Sequence, residues 1–356
     1  MSELGAFLDA LDEADRAGER TAIATVVSAE GSNYRRPGAR ILIRESGDTV
    51  GLLSGGCLEG DLAERARAVL RTGMPQAVTY DLGQNDEELW GLGVGCDGLM
   101  RIFLQPLLAE SGYEPFSTMV RALGGDSDQV AATVIETETA KLPAGATMVT
   151  VNGAITYCDV DDEYVQEISA NIGVTLLDRQ SSYRSILAGD TSAAVLFSLL
   201  KPPPAILVLG AGLDAGPVVR FANELGWRVS VQDHRPAYIE SGKFIDAEQV
   251  ICVPVAELAG TIDLDRFAAT IVMSHHLTSD REYLKQLAKS KVGYIGLLGP
   301  EDRRKRLLKE LGDHAERLQG RLHGPAGLDI GGRGPASIAL SIIAEMHRQI
   351  FLPPDR

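Results

Sequence analysis

The chain has 356 residues, 45% of them hydrophobic and 23% charged. That is the balance of a folded protein of roughly two to three domains, and it excludes a disordered, collagen-like or coiled-coil chain. Lys and Arg number 34 against 49 Asp and Glu, a formal net charge of −15, which argues against nucleic acid or an anionic membrane as partner and leaves room for local basic sites. The four cysteines, Cys57, Cys96, Cys158 and Cys252, form no CxxC pair, so reduced thiols in a cytoplasmic protein are expected rather than disulfides or a zinc knuckle. The N-terminus is rich in acids and no apolar run approaches a membrane span, so neither a signal peptide nor an anchor is expected.

In chain order, residues 3–17 read as a helix, and clusters of β-branched and apolar residues predict strands at 21–29, 39–43 and 49–53. The third strand runs into Ser54-Gly55-Gly56-Cys57. Leu58, Leu62, Ala66, Val69 and Leu70 then recur on one face of a helix over 58–72. Strands are expected at 78–81 and 99–104, and segments 115–123, 130–136, 147–151, 162–171 and 193–200 continue an α/β pattern with no fixed-period repeat. Lys201-Pro202-Pro203-Pro204 predicts an extended linker at 201–204. It divides an N-terminal α/β region, 1–200, from a domain at 205–356, and spacing leaves open whether the first is one domain or two subdomains near 1–110 and 111–200.

Beyond the linker, a short apolar strand at 206–209 ends in Gly210-Ala211-Gly212-Leu213-Asp214-Ala215-Gly216. The helix that follows has Val218, Ala222 and Leu225 on one face and Gly226 at its C-terminal cap. Further strands at 228–232, 249–253, 269–274 and 292–297 alternate with helices, which predicts a Rossmann-like, doubly wound parallel sheet. Gly210, Gly212 and Gly216 give GxGxxxG. The first glycine permits the strand-to-helix turn, the second lets a pyrophosphate approach, and the helix start offers free N–H groups and partial positive charge. Asp233 ends the second strand, where an acid binds a ribose 2′-OH. Its neighbours His234 and Arg235 weaken the preference for a plain ribose over a 2′-phosphate. The glycines also suit close helix–sheet packing alone.

His275 and His276 follow the strand at 269–274, at the carboxyl end where open α/β sheets bind ligands, and Asp280 lies near the next helix start. His275 and Asp280 are therefore candidates for general acid–base work; the alternative is a capping Asp280 beside a solvated histidine. Arg303-Arg304-Lys305-Arg306 is the strongest basic run, suited to a phosphate clamp or to a solvated helix face.

Cys57 follows two glycines and precedes a helix, a place that favours thiolate. Cys96 sits in Gly91-Leu92-Gly93-Val94-Gly95-Cys96-Asp97-Gly98. Two glycine-flanked thiols suggest a thiolate-bearing pocket; each also suits a crowded turn. Cys158 and Cys252 lie in apolar strand-like contexts and read as packing. Arg35-Arg36-Pro37-Gly38-Ala39-Arg40 is a basic turn that suits a phosphate or carboxylate, or an ordinary hairpin.

These strings, in this order, resemble the xanthine dehydrogenase accessory factor family, XdhC/CoxI. The resemblance is carried by Arg35 to Arg40, Leu53-Ser54-Gly55-Gly56-Cys57-Leu58-Glu59-Gly60-Asp61, Gly93 to Gly98, Leu209 to Ala215, Gly296-Leu297-Leu298-Gly299-Pro300, Gly324-Pro325-Ala326-Gly327-Leu328-Asp329-Ile330-Gly331, and the last helix from Ile338 to Glu345. Residues 111–200 contribute least. The chain departs from the family at Leu213, commonly His, and at Asp97, often Gly.

The resemblance implies a cytoplasmic chaperone that binds molybdenum cofactor, as molybdopterin or its cytosine dinucleotide. Such a protein favours the sulfurated form and delivers it to an apo-enzyme of the molybdenum hydroxylase class, with a cysteine desulfurase as a further partner. On that reading Cys57 and Cys96 contact molybdenum or its terminal sulfur. Arg35, Arg36 and Arg40, with Gly55, Gly56, Gly210, Gly212, Gly216 and Asp233, take the cofactor's phosphate or nucleotide. The alternative is an NAD(P)-dependent oxidoreductase, weakened because no complete catalytic constellation follows the glycine turn. Ile338, Ile342, Met346 and Ile350 form a stripe that suits a core or a homo-oligomer contact equally.

Overall fold

The computed structural model describes residues 3–31, 35–54, 56, 58–81, 98–188, 191–242 and 244–352. They form two compact units, Glu3–Pro202 and Pro203 onward.

The first unit contains one topology twice. α1 (Glu3–Ala17) is followed by β1 (Thr21–Gly31), β2 (Arg40–Arg44), β3 (Thr49–Gly51), α2 (Glu59–Thr72), β4 (Gln76–Asp81) and β5 (Gly98–Leu107). The strands form an antiparallel sheet in the order β3-β2-β1-β5-β4. Then come α3 (Phe116–Leu123), β6 (Gln129–Thr137), β7 (Thr147–Val151), β8 (Ala154–Cys158), α4 (Asp162–Asp178), β9 (Ser182–Ala188) and β10 (Thr191–Leu200). Their order, β8-β7-β6-β10-β9, is the same order shifted by one repeat.

The likeness extends to single hydrogen bonds. Val26 N–H donates to Ala39 O and Gly38 N–H to Val26 O; in the second copy Val134 N–H donates to Ala146 O and Gly145 N–H to Val134 O. Gly38 and Gly145 have φ of +91° and +94°, a conformation that glycine adopts without strain. The pairing of β1 with β5 slips at Val27, and that of β6 with β10 slips at Ile135. The sequence has no fixed period because the connections differ in length and few side chains repeat; the duplication is held by turn geometry and burial.

The two copies pack reciprocally. A Cβ on Gly38 would lie 3.0 Å from Ser181 Oγ, and one on Gly145 would lie 3.3 Å from Pro75 Cγ, so each copy's turn meets the segment before the other's fourth strand. The bulged residues Val27 and Ile135 share a buried cluster with Phe103 and Leu196. Phe7 and Phe116, on the first helix of each copy, meet edge to face at 5.2 Å between ring centroids, an arrangement worth about 0.5–1.5 kcal/mol beyond its buried area. The contact pattern is that of an isologous dimer built in one chain.

The second unit alternates strand and helix: β11 (Ala205–Leu209), α5 (Ala215–Glu224), β12 (Arg228–Gln232), α6 (Pro236–Gly242), β13 (Gln249–Ile251), α7 (Leu258–Thr261), β14 (Ala269–Val272), α8 (Leu277–Leu287), β15 (Tyr294–Leu297), α9 (Glu301–Leu311), α10 (His314–Arg317), β16 (Leu322–His323) and α11 (Pro335–Phe351). All strand pairs are parallel, in the order β13-β12-β11-β14-β15-β16. This is the doubly wound order, with its switch point between β11 and β14. β11 is buried along its whole length, as the apolar run Ala205 to Leu209 requires of a central parallel strand. One face of the sheet packs on α5 and α11, where Ile342 and Met346 are fully buried and Ile338 and Ile350 lean against the same core. The stripe on the last helix is thus spent within its own unit. Leu225 departs from expectation: α5 stops at Glu224, and Leu225 is 47% exposed instead of joining Val218 and Ala222.

Cys158 and Cys252 also depart from expectation, since both are exposed. Cys158 ends the edge strand β8, which is exposed along most of its length, and Cys252 directly follows the edge strand β13, whose first two residues are exposed. No helix among the described residues is long and apolar enough to cross a membrane.

Candidate functional site

In the first unit, the loop from Leu53 to Leu58 enters α2, and its N–H groups would lack partners in a bare helix start. Glu59 supplies them. Its Oε1 accepts from Ser54 N–H at 3.0 Å and Leu53 N–H at 3.3 Å; its Oε2 accepts from Ser54 Oγ at 2.5 Å, Gly56 N–H at 3.0 Å and Leu58 N–H at 3.1 Å. Burial alone would raise the Glu59 carboxyl, but the Ser54 hydroxyl and these backbone donors outweigh it and hold it below its ordinary range. Leu53 and Leu58 anchor the two ends of the loop in the core of the first copy. Gly56, at φ +110°, is exposed and borders open space. Gly55, Cys57 and Cys96 lie outside the described residues.

The three arginines of the basic turn are not gathered into one cluster. Arg35 donates from Nε to Leu52 O at 2.8 Å and pairs with Glu3 at 3.4 Å, so it braces the strand exit that leads into this loop. Arg36 is exposed. Arg40 turns into the space between the two sheets.

In the second unit, the glycine-rich turn lies at the switch point. Gly210, at φ +120°, approaches β14 so closely that a Cβ would stand 2.6 Å from Met273 O; no other residue fits there. Asp233 is fully buried and wholly engaged. Its Oδ2 accepts from Ala211 N–H at 2.8 Å and from Arg235 Nη2 at 2.8 Å, and its Oδ1 accepts from Arg235 N–H and Nε, both at 2.9 Å. Burial opposes the charge, but the Arg235 guanidinium and the two N–H groups hold the carboxyl below its usual value. Tyr238 stacks 3.6 Å beneath the Arg235 guanidinium. The predicted ribose acceptor therefore ties the first two strand ends together.

His275 pairs with Asp214, not with Asp280. Its Nε2 lies 2.8 Å from Asp214 Oδ2, joining the glycine turn to the end of β14 across the switch point. His275 sits at φ +60°, a conformation that costs a side chain of this kind about 1 kcal/mol. Asp280 is buried in the first turn of α8, where it accepts from Ser274 Oγ at 2.5 Å and from Arg303 Nη2 at 2.6 Å. His276 Nδ1 lies 3.1 Å from Ser279 Oγ. Gly216 lies on α5 beside Arg220.

The basic run is likewise divided. Arg303 serves Asp280, Lys305 pairs with Glu301 and Arg306 with Glu310. Arg304 packs against Gly324, and its Nε is buried without a hydrogen-bond partner among the described residues.

The glycine-rich string after β16 is clasped to the last helix. Glu345 Oε2 accepts from Tyr294 Oη and from Gly327 N–H, both at 2.7 Å, and Ser341 Oγ donates to Leu328 O. His323 stacks on Tyr294 with ring centroids 4.6 Å apart. Burial drives the His323 imidazole below its ordinary pKa, Arg348 and Arg304 add to this, and Glu345 opposes it.

Sequence reasoning singled out neither Glu59 nor Asp214. The signals were an acid just inside the helix after the Ser-Gly-Gly loop, and an acid within the glycine turn facing a strand-end histidine. Among the described residues no group of three or more His, Cys, Asp or Glu side chains is placed to hold a metal ion.

Comparison with known proteins matches residues 206–346 to the XdhC Rossmann domain and residues 14–81 to the XdhC and CoxI family. The chain is 30% identical over 348 residues to a Bacillus subtilis protein described as a probable xanthine dehydrogenase subunit, covering 97% of both chains. The chain belongs to the XdhC/CoxI family. A crystal structure described as a xanthine dehydrogenase from Bacillus halodurans is similar across 98% of this chain and 96% of that one, with 29% identity and a TM-score of 0.76. The XdhC/CoxI strings thus fall on the Glu59-held loop, the switch-point turn and the clasp on the last helix.

Proposed function

We propose that this chain binds molybdenum cofactor, assists its sulfuration and hands it to a molybdenum hydroxylase of the xanthine dehydrogenase or CO dehydrogenase type. The observation that carries this reading is the loop around Cys57, whose flanking N–H groups at Gly56 and Leu58 are fixed by Glu59. Asp233, whose oxygens are all engaged within the protein, counts against a ribose-bound dinucleotide and drops out of the expected cofactor contacts. A resident dinucleotide needs that acid for its ribose. Family membership supports an accessory role beside a xanthine dehydrogenase.

The donors fit an anionic cofactor at two places, each argued on its own. In the second unit, Arg304 Nε, which has no hydrogen-bond partner among the described residues, and the start of α5 suit a phosphate. In the first unit, Glu59 fixes the loop on both sides of Cys57, whose thiolate suits a soft metal; Cys96 is the second candidate. The cofactor, when bound, supplies the redox-active molybdenum centre of the client enzyme. The chain's own part is to bind and orient it, with Asp214 holding the His275 ring through Nε2.

The test is titration of the purified protein with cofactor released from a molybdenum hydroxylase, followed by transfer to apo-enzyme. Near-stoichiometric binding that weakens at least tenfold in Cys57→Ala is expected; unchanged binding in that variant overturns the thiolate role. The second reading, an NAD(P)-dependent oxidoreductase, draws on the doubly wound sheet with His275 at its switch point. It predicts saturable NAD(P)H binding by fluorescence, and absence of binding at millimolar cofactor removes it.

A further inference from the structure

The duplication in the first unit supplies an internal control for each connection. In the first sheet β1, β3 and β4 run in one direction and β2 and β5 in the other, so the connections that leave β1, β3 and β4 depart from one end. β6, β8 and β9 do the same in the second sheet. At this end the two copies differ at each connection. β4 and β5 are joined by residues 82–97, whereas β9 and β10 are joined by 189–190. Gly51 in β3 and Cys158 in β8 occupy the same register position; residues 52–58 then lead to α2, but only 159–161 lead to α4. There Asp161 caps the helix directly, accepting from Glu163 N–H at 3.2 Å. In the matching turns after β1 and β6, Arg35, Arg36 and Arg40 have Leu142, Pro143 and Thr147 as counterparts. The fold therefore closes at this end with short connections and without those arginines.

The elaborated connections are tied to one another. Arg35, in the turn after β1, donates from Nε to Leu52 O at 2.8 Å, at the exit of β3. Leu53 and Ser54, next in the chain, donate to Glu59. In the first turn of α2, Asp61 accepts from the Tyr80 hydroxyl and from Arg65 Nε, the latter at 2.5 Å. Tyr80 stands one residue before the end of β4, so the start of the loop-bearing helix is bound to that strand end. Tyr80 is buried, and burial, reinforced by the Asp61 carboxylate, raises its phenol well above the ordinary value, so it stays a donor. The register counterparts of Arg35 and Tyr80 are Leu142 and Ile186, both buried and neither able to make such a bond. Two polar links have been added to a scaffold that packs with apolar residues in their place, and apolar replacement of a polar pair is close to neutral for stability.

We propose that the ligand face of the first unit is built by the first copy alone, at the end where β1, β3 and β4 finish, and that Arg35 and the Tyr80–Asp61 pair are its positioning residues, with the second copy as scaffold. The ligand's identity as molybdenum cofactor rests on the proposed function; the place of the face does not.

Labelling of the full chain with iodoacetamide, read at each cysteine by peptide mass spectrometry, tests it without cofactor. Tyr80→Phe and Arg35→Leu should each quicken labelling of Cys57 by about fivefold, the equivalent of one hydrogen bond, and leave Cys158 and Cys252 as in the wild type. Cys57 labelling that does not quicken in either variant, or a change shared by all the cysteines, overturns the proposal. Asp161→Ala, at the counterpart helix start, should leave Cys57 unaltered; an equal quickening there would give the second copy a share in the face and also overturns it. Titration with released cofactor then separates the two readings. Affinity about fivefold weaker in Tyr80→Phe is expected, and equal affinity overturns the positioning role. Absence of binding to the wild type sinks the cofactor assignment, and the labelling still decides the face.

Discussion

Arg235 grips both oxygens of Asp233, with Nη2 to Oδ2 at 2.8 Å and Nε to Oδ1 at 2.9 Å. The same carboxylate takes the Ala211 N–H of the glycine turn, so one ion pair shapes the switch point. Asp233→Asn should destabilise the protein by about 3 kcal/mol, because a half-enclosed arginine loses its partner. Urea unfolding checks this. The Asp233 carboxyl lies below its unfolded value, so its stabilisation is complete above about pH 4 and is lost only as pH falls through the lower folded value.

Glu59 holds five donors of one loop. Glu59→Gln offers an amide where the backbone N–H groups need an acceptor and should cost about 1–3 kcal/mol. It should also weaken cofactor binding if the loop is the thiolate site. Amide hydrogen exchange should quicken at Ser54, Gly56 and Leu58, and unchanged exchange would show that Glu59 is not the organiser.

His275 carries its left-handed backbone at an exposed position beside Asp214. His275→Gly should therefore leave stability unchanged or raise it by about 1 kcal/mol, while any ligand affinity that uses the ring falls. A loss of more than about 1 kcal/mol would mean that the ring supports the fold.

His323 is held neutral by burial against Tyr294. Its folded pKa lies below the unfolded value near 6.5, so its contribution is complete above that pH and is lost as pH falls through the folded pKa. Stability should decline as pH falls below about 6.5, and His323→Gln should flatten that decline. A parallel pH profile for the two proteins would remove His323 as the cause.

The second unit was legible because parallel strands are continuous apolar runs with glycine turns between them. Arg228 to Gln232 and the glycine turn stand where the pattern placed them. In the first unit the helices at Glu3 and Glu59 were readable by their apolar faces. β8 and β9 were not, because Ala154 to Cys158 is an exposed edge strand without alternation and Ser182 to Ala188 mixes polar and apolar residues. The duplication was invisible because it rests on two turns and two bulges. The site was legible by place more than by partner. The sequence placed His275 at a strand end, but its acid lies 2.8 Å away in the glycine turn, and Asp280 belongs to Arg303.

The most direct measurement is purification of the full chain from a host that makes molybdenum cofactor, with metal analysis and extraction of bound nucleotide. Molybdenum and pterin near one per chain, greatly reduced in Cys57→Ala, with no NAD(P), is the expected result. A chain that carries NAD(P) and no molybdenum would contradict it.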